Sequence, residues 1–212
     1  MQITLTNTGK RYNREWIFRH VNHEFLPGKS YAITGPNGSG KSTLLQVIAG
    51  AVLHSEGEIN YTDTGCGIQD NKLAGRIPES EAYRHISIAT PYLELIEEMT
   101  ATEFLDFHAT FKPFNLPVTE MLSAVSLHNA ANKQIRYFSS GMKQRLKMAQ
   151  AFFCNTPVLL LDEPTTNLDQ DGIALYRHLI SNHTNGRLVI VSSNDEQEYN
   201  FCDEVVSISN YK

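Results

Sequence analysis

Cysteine and tryptophan are nearly missing from this chain of 212 residues, which holds three of the first and one of the second. Cys66, Cys154 and Cys202 are scattered, odd in number and without a C-x-x-C pair. That excludes a disulfide framework and points to reduced, structural thiols. Metal-ligand spacing is missing among the eight histidines too: His20 and His23 stand three apart in a strand-like segment with no cysteines to match. Long hydrophobic runs are absent. The purely aliphatic stretch at residues 158–161 is four residues long, against the roughly 20 that span a bilayer. The opening residues Met1-Gln2-Ile3-Thr4-Leu5-Thr6-Asn7 lack the basic-then-apolar layout of a signal peptide. The expectation is a cytoplasmic chain without direct membrane insertion. Positive charge is also short, with 18 Lys and Arg against 23 Asp and Glu and a net charge of -5. A globally basic nucleic-acid binder is therefore disfavoured, and no nucleic-acid partner is expected.

What is present suffices for one folded domain. The chain is 41% hydrophobic, enough for a core at a length that suits a single domain. Residues 2–7 alternate polar and apolar, as a half-buried strand does. Pro27-Gly28-Lys29 reads as a turn between strands. Residues 31–34 form a short apolar run that meets a glycine-rich loop, and a helix follows with Leu44, Leu45, Val47 and Ile48 on its buried side and Gly50 at its end. Residues 58–61 and 86–89 are further strand candidates. From about residue 93 to 154 the pattern is helical, interrupted by Pro113 and Pro117. Phe104, Leu105, Phe107, His108 and Phe111 recur at helix spacing and read as core packing, as do Met121, Leu122 and Val125. Then come a buried strand at 158–161, a helix at 173–180, a buried strand at 188–191, a short helix near Glu196 and a strand at 205–208. Strand and helix in alternation imply a parallel sheet with helices packed on it.

Two motifs carry chemistry. Gly35-Pro36-Asn37-Gly38-Ser39-Gly40-Lys41-Ser42 fits G-x-x-x-x-G-K-[ST]. Glycines let the backbone curl so that several N–H groups face phosphate, and the following helix adds its positive end. Lys41 supplies a point charge to the terminal phosphates, and Ser42 offers a hydroxyl to Mg²⁺. Composition alone yields the pattern in roughly 1–2% of chains this long, and a strand before it with a helix after it narrows the reading further. The second motif ends a buried strand with Asp162 and Glu163. Ligands of a parallel sheet bind beyond its strand C-termini, so Asp162 falls beside the phosphate loop, where it can hold the metal through water. Glu163 can polarise the water that attacks a γ-phosphate.

With these motifs in hand, the chain resembles the ATP-binding subunit of an ABC transporter over nearly its whole length. Phe138-Ser139-Ser140-Gly141-Met142-Lys143-Gln144-Arg145 is similar to that family's LSGGQ signature and its continuation. Asp162-Glu163-Pro164-Thr165-Thr166-Asn167-Leu168-Asp169 resembles Walker B running into the D-loop. The resemblance implies an α/β fold: a P-loop NTPase core of ABC type with a mixed sheet, an N-terminal antiparallel β-subdomain and a helical subdomain insert. A RecA-like core would occupy 1–91 and 155–212, and the helical part about 92–154. It implies ATP and Mg²⁺ as ligands, with Thr43 joining the phosphate loop and with Ser42 and Asp162 on the metal. It also implies a head-to-tail homodimer in which Ser139, Ser140 and Gly141 meet the γ-phosphate bound to the other subunit and Asp169 crosses the interface. A separate transmembrane permease would hold the chain at the inner face of the cell membrane. Ser139 and Ser140 can cap a helix running to about Phe153. Lys143, Arg145 and Lys147 on that helix read as a solvated face rather than a nucleic-acid patch, and Glu94, Glu97 and Glu98 as a solvated acidic face. Tyr12 stands 29 residues before Lys41, a position similar to the family's adenine-stacking aromatic. A plain surface tyrosine is the alternative, with Trp16 as the fallback for stacking.

Two positions depart from the family. Counting back from Thr100 and Glu103, which match its T-x-x-E, the position of a metal-coordinating glutamine falls on Pro91, and neither Thr90 nor Tyr92 is a glutamine; Gln69 is too far upstream. A water would then complete the metal shell. The switch histidine is replaced by Asn194, which can donate a hydrogen bond to phosphate but carries no charge and passes no proton. Hydrolysis by Glu163, assisted by Lys41 and Asn194, is still expected, at a lower rate. The signature variant carries a weak lean towards export. The competing class is a non-transport ABC-type ATPase acting as a nucleotide-driven clamp or assembly scaffold. A plain P-loop kinase would not explain the signature segment.

Overall fold

A computed structural model describes residues 1–64 and 75–212; Cys66 and Gln69 lie outside the described residues. In chain order the elements are β1 (Gln2–Tyr12), β2 (Glu15–Phe25), β3 (Ser30–Thr34), α1 (Lys41–Ile48), β4 (Glu56–Thr62), β5 (Arg76–Ile77), β6 (Ile86–Ala89) and α2 (Ala101–Ala109). They continue with α3 (Val118–Ala124), α4 (Ser140–Phe153), β7 (Val158–Asp162), α5 (Gln170–His183), β8 (Leu188–Ser192), α6 (Glu196–Tyr199) and β9 (Glu204–Ser207).

Antiparallel and parallel strands separate into two sheets. The first is four-stranded in the order β2-β1-β4-β5; the second is five-stranded, β6-β7-β8-β3-β9, with every pairing parallel. β7 and β8 lie inside the parallel sheet with every residue buried, which is why both read as unbroken apolar runs instead of alternating ones. Side chains on successive strand residues face opposite ways. Leu159, Leu161, Val189 and Val191 join a core cluster with residues of α2, α3, α4 and α5. Val158, Leu160, Leu188 and Ile190 join another with α1 and the antiparallel strands.

Register fixes where the chemistry sits. Ala89 lies beside Leu161, Asp162 beside Ser192, and Ser192 beside Ile33. The C-terminal ends of β6, β7, β8 and β3 therefore form one row, and Thr90, Glu163, Ser193 and the phosphate loop all leave from it.

Several sequence expectations are corrected. Phe107 and Phe111 are not core: they are 45% and 68% exposed and pack on each other edge to face. α2 ends at Ala109, and its buried residues are Ala101, Phe104 and Leu105, so Phe107 falls on the outer stripe and Phe111 lies in the turn beyond the helix. The last strand ends at Ser207, and Ile208 starts a 3-10 turn.

Candidate nucleotide site

The phosphate loop is built by steric exclusion. Gly35 has φ 148° and Gly40 φ 103°, values that disfavour any side chain. A Cβ on Gly40 would lie 2.4 Å from Ile17 of β2, and one on Gly35 2.7 Å from Ile208. The loop is thus clamped between the antiparallel sheet and the end of the chain. Pro36, Asn37 and Gly38 are exposed at its tip, and Ser39 is buried with an Oγ that finds no partner among the described residues. Lys41 is buried too, and its ammonium donates to the carbonyls of Gly35 at 2.8 Å and Pro36 at 3.4 Å. Ser42 and Thr43 follow in the first turn of α1.

Ser42 Oγ donates to Asp162 Oδ1 at 3.0 Å, and Thr90 Oγ1 to Asp162 Oδ2 at 3.4 Å. Burial pushes the Asp162 carboxyl up, opposed by these hydroxyls and by the charge of Lys41. Glu163 has φ 43°, an uncommon conformation for a residue with a Cβ and a form of strain that concentrates at functional sites. Its N–H donates to Ser192 O at 2.9 Å, and its carboxylate has no hydrogen bond or ion pair among the described residues. Asn194 spans the loop: its Oδ1 accepts from Gly35 N at 3.2 Å and its Nδ2 donates to Asn37 Oδ1 at 2.9 Å.

The signature segment lies apart from the phosphate loop. Ser139 caps α4 by accepting from Met142 N at 3.2 Å. Ser139, Ser140, Gly141, Met142, Arg145, Asn167 and Asp169 line a cavity of about 390 Å³ that no phosphate-loop residue reaches. Asp169 caps α5 through Gly172 N at 2.8 Å and pairs with Arg145 at 3.1 Å; the first bond and then the guanidinium hold its carboxyl below the usual range.

The basic residues of α4 are not a solvated face. Lys143 pairs with Glu97, Arg145 with Asp169, and the buried Lys147 donates to Pro91 O. Glu94 and Glu98 are exposed. Tyr12, at the tip of the β1–β2 hairpin, is 47% exposed. It pairs with Glu15, while Ile17, the β2 residue nearest Gly40, falls at a register shift between Trp16 and Phe18. Both aromatics carry a cation over the ring: Arg19 lies 4.1 Å and Arg11 5.5 Å from the Trp16 ring centre, and the Lys10 ammonium 4.8 Å from that of Tyr12.

Sequence reasoning missed Thr90, Gln144 and Glu198 as site-forming residues. Gln144 donates to Pro164 O at 2.8 Å from a buried position. Glu198 accepts from Thr165 N at 2.7 Å and from its hydroxyl. The only signal for Glu198 is its place four residues after Asn194.

The donor set suits Mg-ATP. Loop glycines without Cβ atoms, the orphan Ser39 hydroxyl and a lysine with no carboxylate partner suit phosphate. Ser42 with Asp162 gives the sparse, hard oxygen set that Mg²⁺ accepts beside phosphate oxygens. Among the described residues no group of three or more His, Cys, Asp or Glu side chains gathers, and no helix is long and apolar enough to cross a membrane.

Comparison with known proteins agrees. The family model described as "ABC transporter" matches residues 18–166. A lantibiotic transport ATP-binding protein of Streptococcus pyogenes, SrtF, is 31% identical over 90% of this chain and 79% of its own length. The cytochrome c biogenesis ATP-binding export protein CcmA of Rhizobium etli is 30% identical over 91% and 88%. Among solved structures, the dimeric, post-hydrolysis form of the ATP-binding cassette MJ0796 bound to ADP and Pi aligns with a TM-score of 0.76 and 25% identity over 97% and 93%. An ATP-binding subunit of an ABC transporter aligns at 0.78 and 24% over 98% and 85%. The chain belongs to the ABC transporter family, as one of its ATP-binding proteins.

Proposed function

We propose that this chain hydrolyses ATP to drive transport, with a lean towards export, through a separate permease that holds it at the inner face of the cell membrane. The observation that carries the reading is the row at the strand ends: Ser42 on Asp162, with the strained Glu163 next in sequence. ATP phosphates lie on the N–H groups of the loop and the first turn of α1, with the Lys41 ammonium exchanging loop carbonyls for phosphate oxygens, and Tyr12 stacks on adenine. Mg²⁺, held by Ser42 and through water by Asp162, would supply positive charge to the phosphate oxygens. Water attacks the γ-phosphorus in line: its oxygen bonds to phosphorus, the bridge to the β-phosphate breaks, and ADP leaves with the electron pair. Glu163 polarises the attacking water, and Asn194 turns its amide to the γ-phosphate.

The lining of the signature cavity supports a head-to-tail homodimer. Its capped helix end and Ser139 hydroxyl suit an anion, yet the chain's own phosphate loop lies elsewhere. Both half-sites are completed when two chains sandwich two nucleotides, with Asp169 near the seam. The export lean rests on the two transport and export relatives.

The test is phosphate release by the purified full chain with Mg-ATP, beside Glu163→Gln. The variant is expected to keep nucleotide binding and lose turnover by about a thousandfold. A Glu163→Gln rate equal to wild type sinks the hydrolytic reading. Co-purification from membranes without a polytopic partner sinks the permease.

A further inference from the structure

Glu163 acts, on the reading above, through a carboxylate that no side chain holds among the described residues. The backbone that carries it sits at φ 43°. On the N-terminal side it is tied to β8 through Ser192 O. On the C-terminal side Thr166 N closes a turn onto Glu163 O at 3.1 Å, and Thr165 is seized by Glu198 through both its N–H and its hydroxyl.

Glu198 is an unusual anchor. It is 3% exposed and makes no ion pair among the described residues, although a buried carboxylate is costly unless its lone pairs are satisfied. Here Thr165 donates twice to one of its two oxygens, Oε1. The anchor is itself fixed: the buried Tyr176 of α5 donates its hydroxyl to Glu198 O at 2.6 Å, and Glu198 N closes the first turn of α6 onto Asp195 O at 3.0 Å. α6 begins two residues after Asn194, with Asp195 as its cap, and Asn194 touches the phosphate loop. One short helix therefore links the switch residue to the segment after the catalytic glutamate.

We propose that Glu198 is a positioning residue for hydrolysis, clamping Thr165 so that Glu163 keeps its strained backbone and aims its carboxylate at the attacking water. The proposal rests on the hydrolytic reading, and it adds a residue of α6 that does not touch the nucleotide. A purely structural buried carboxylate would instead lower stability and nucleotide affinity together when removed.

The test uses the full chain. Glu198→Ala is expected to lower kcat by about tenfold to a hundredfold while KM for ATP and the thermal midpoint stay near wild type. Glu198→Gln keeps an acceptor oxygen for Thr165 and is expected to restore most of kcat. Thr165→Val deletes the hydroxyl bond alone, so it reads the same effect in milder form even where Glu198→Ala fails to fold. Amide exchange at Thr165 is expected to quicken in Glu198→Ala and not in Glu198→Gln. Three results overturn the proposal: kcat within about twofold of wild type in Glu198→Ala or in Thr165→Val, Ala and Gln variants equally impaired, or unchanged exchange at Thr165. Absence of wild-type turnover defeats the hydrolytic reading instead, and the exchange measurement still decides whether the clamp exists.

Discussion

Asn194 bridges Gly35 N and Asn37 Oδ1. Its amide nitrogen has two N–H donors, one of them engaged by Asn37, and as a neutral group it adds no charge where an imidazolium would. Asn194→Ala is expected to slow phosphate release by about tenfold with a smaller change in KM; a rate equal to wild type would show that hydrolysis does not use this residue. Residues of this kind were legible where their spacing is local. The phosphate loop and the Asp162-Glu163 pair stand out as contiguous motifs. Thr90, Gln144 and Glu198 do not, because each partner is 20 to 72 residues away in sequence. The three basic residues of α4 were misread for the same reason: Glu97, Asp169 and the Pro91 carbonyl come to them only through the fold.

At the scale of elements, the T-x-x-E at Thr100 and Glu103 has a local physical meaning. Thr100 Oγ1 accepts from Glu103 N at 3.2 Å, and Glu103 Oε2 accepts from Thr100 N at 2.8 Å, a reciprocal capping box that starts α2. Thr100→Ala is expected to lower stability by about 1 kcal/mol, read from the urea midpoint, and to leave nucleotide affinity unchanged; an unshifted midpoint would mean that packing alone sets this helix start. Caps, apolar runs and the glycine-rich loop made α1, α4, β7 and β8 readable. The antiparallel sheet was harder. β1 and β2 run through register shifts near Asn7 and His20, both at positive φ, which break the alternation that marks a strand. The two-residue β5 has no pattern to read. The outward stripe of α2 was lost because a nine-residue helix carries too few apolar positions to fix its face.

At the scale of the whole molecule, burial sets the response to acid. Burial, with some help from Lys112, pushes the His108 imidazole down to about 4, and burial also lowers His23 and His183. Between the ordinary value of 6.5 and about 4 the unfolded chain binds protons that the folded rings refuse, so stability falls as pH drops through that window. Thermal midpoints taken from pH 7 down to 4.5 are expected to decline, and His108→Gln is expected to flatten part of the slope; an identical slope would remove His108 from the account. Asp203 and Asp169, both held below the ordinary value by backbone N–H bonds, add to the decline at the acid end as they protonate. The Lys41 ammonium resting on the carbonyls of Gly35 and Pro36 bears on the molecule's whole working cycle. The lysine closes the curl of the phosphate loop from within, on two of its own carbonyls. A phosphate that takes Lys41 must therefore compete with those two carbonyls, so binding there trades one set of partners for another.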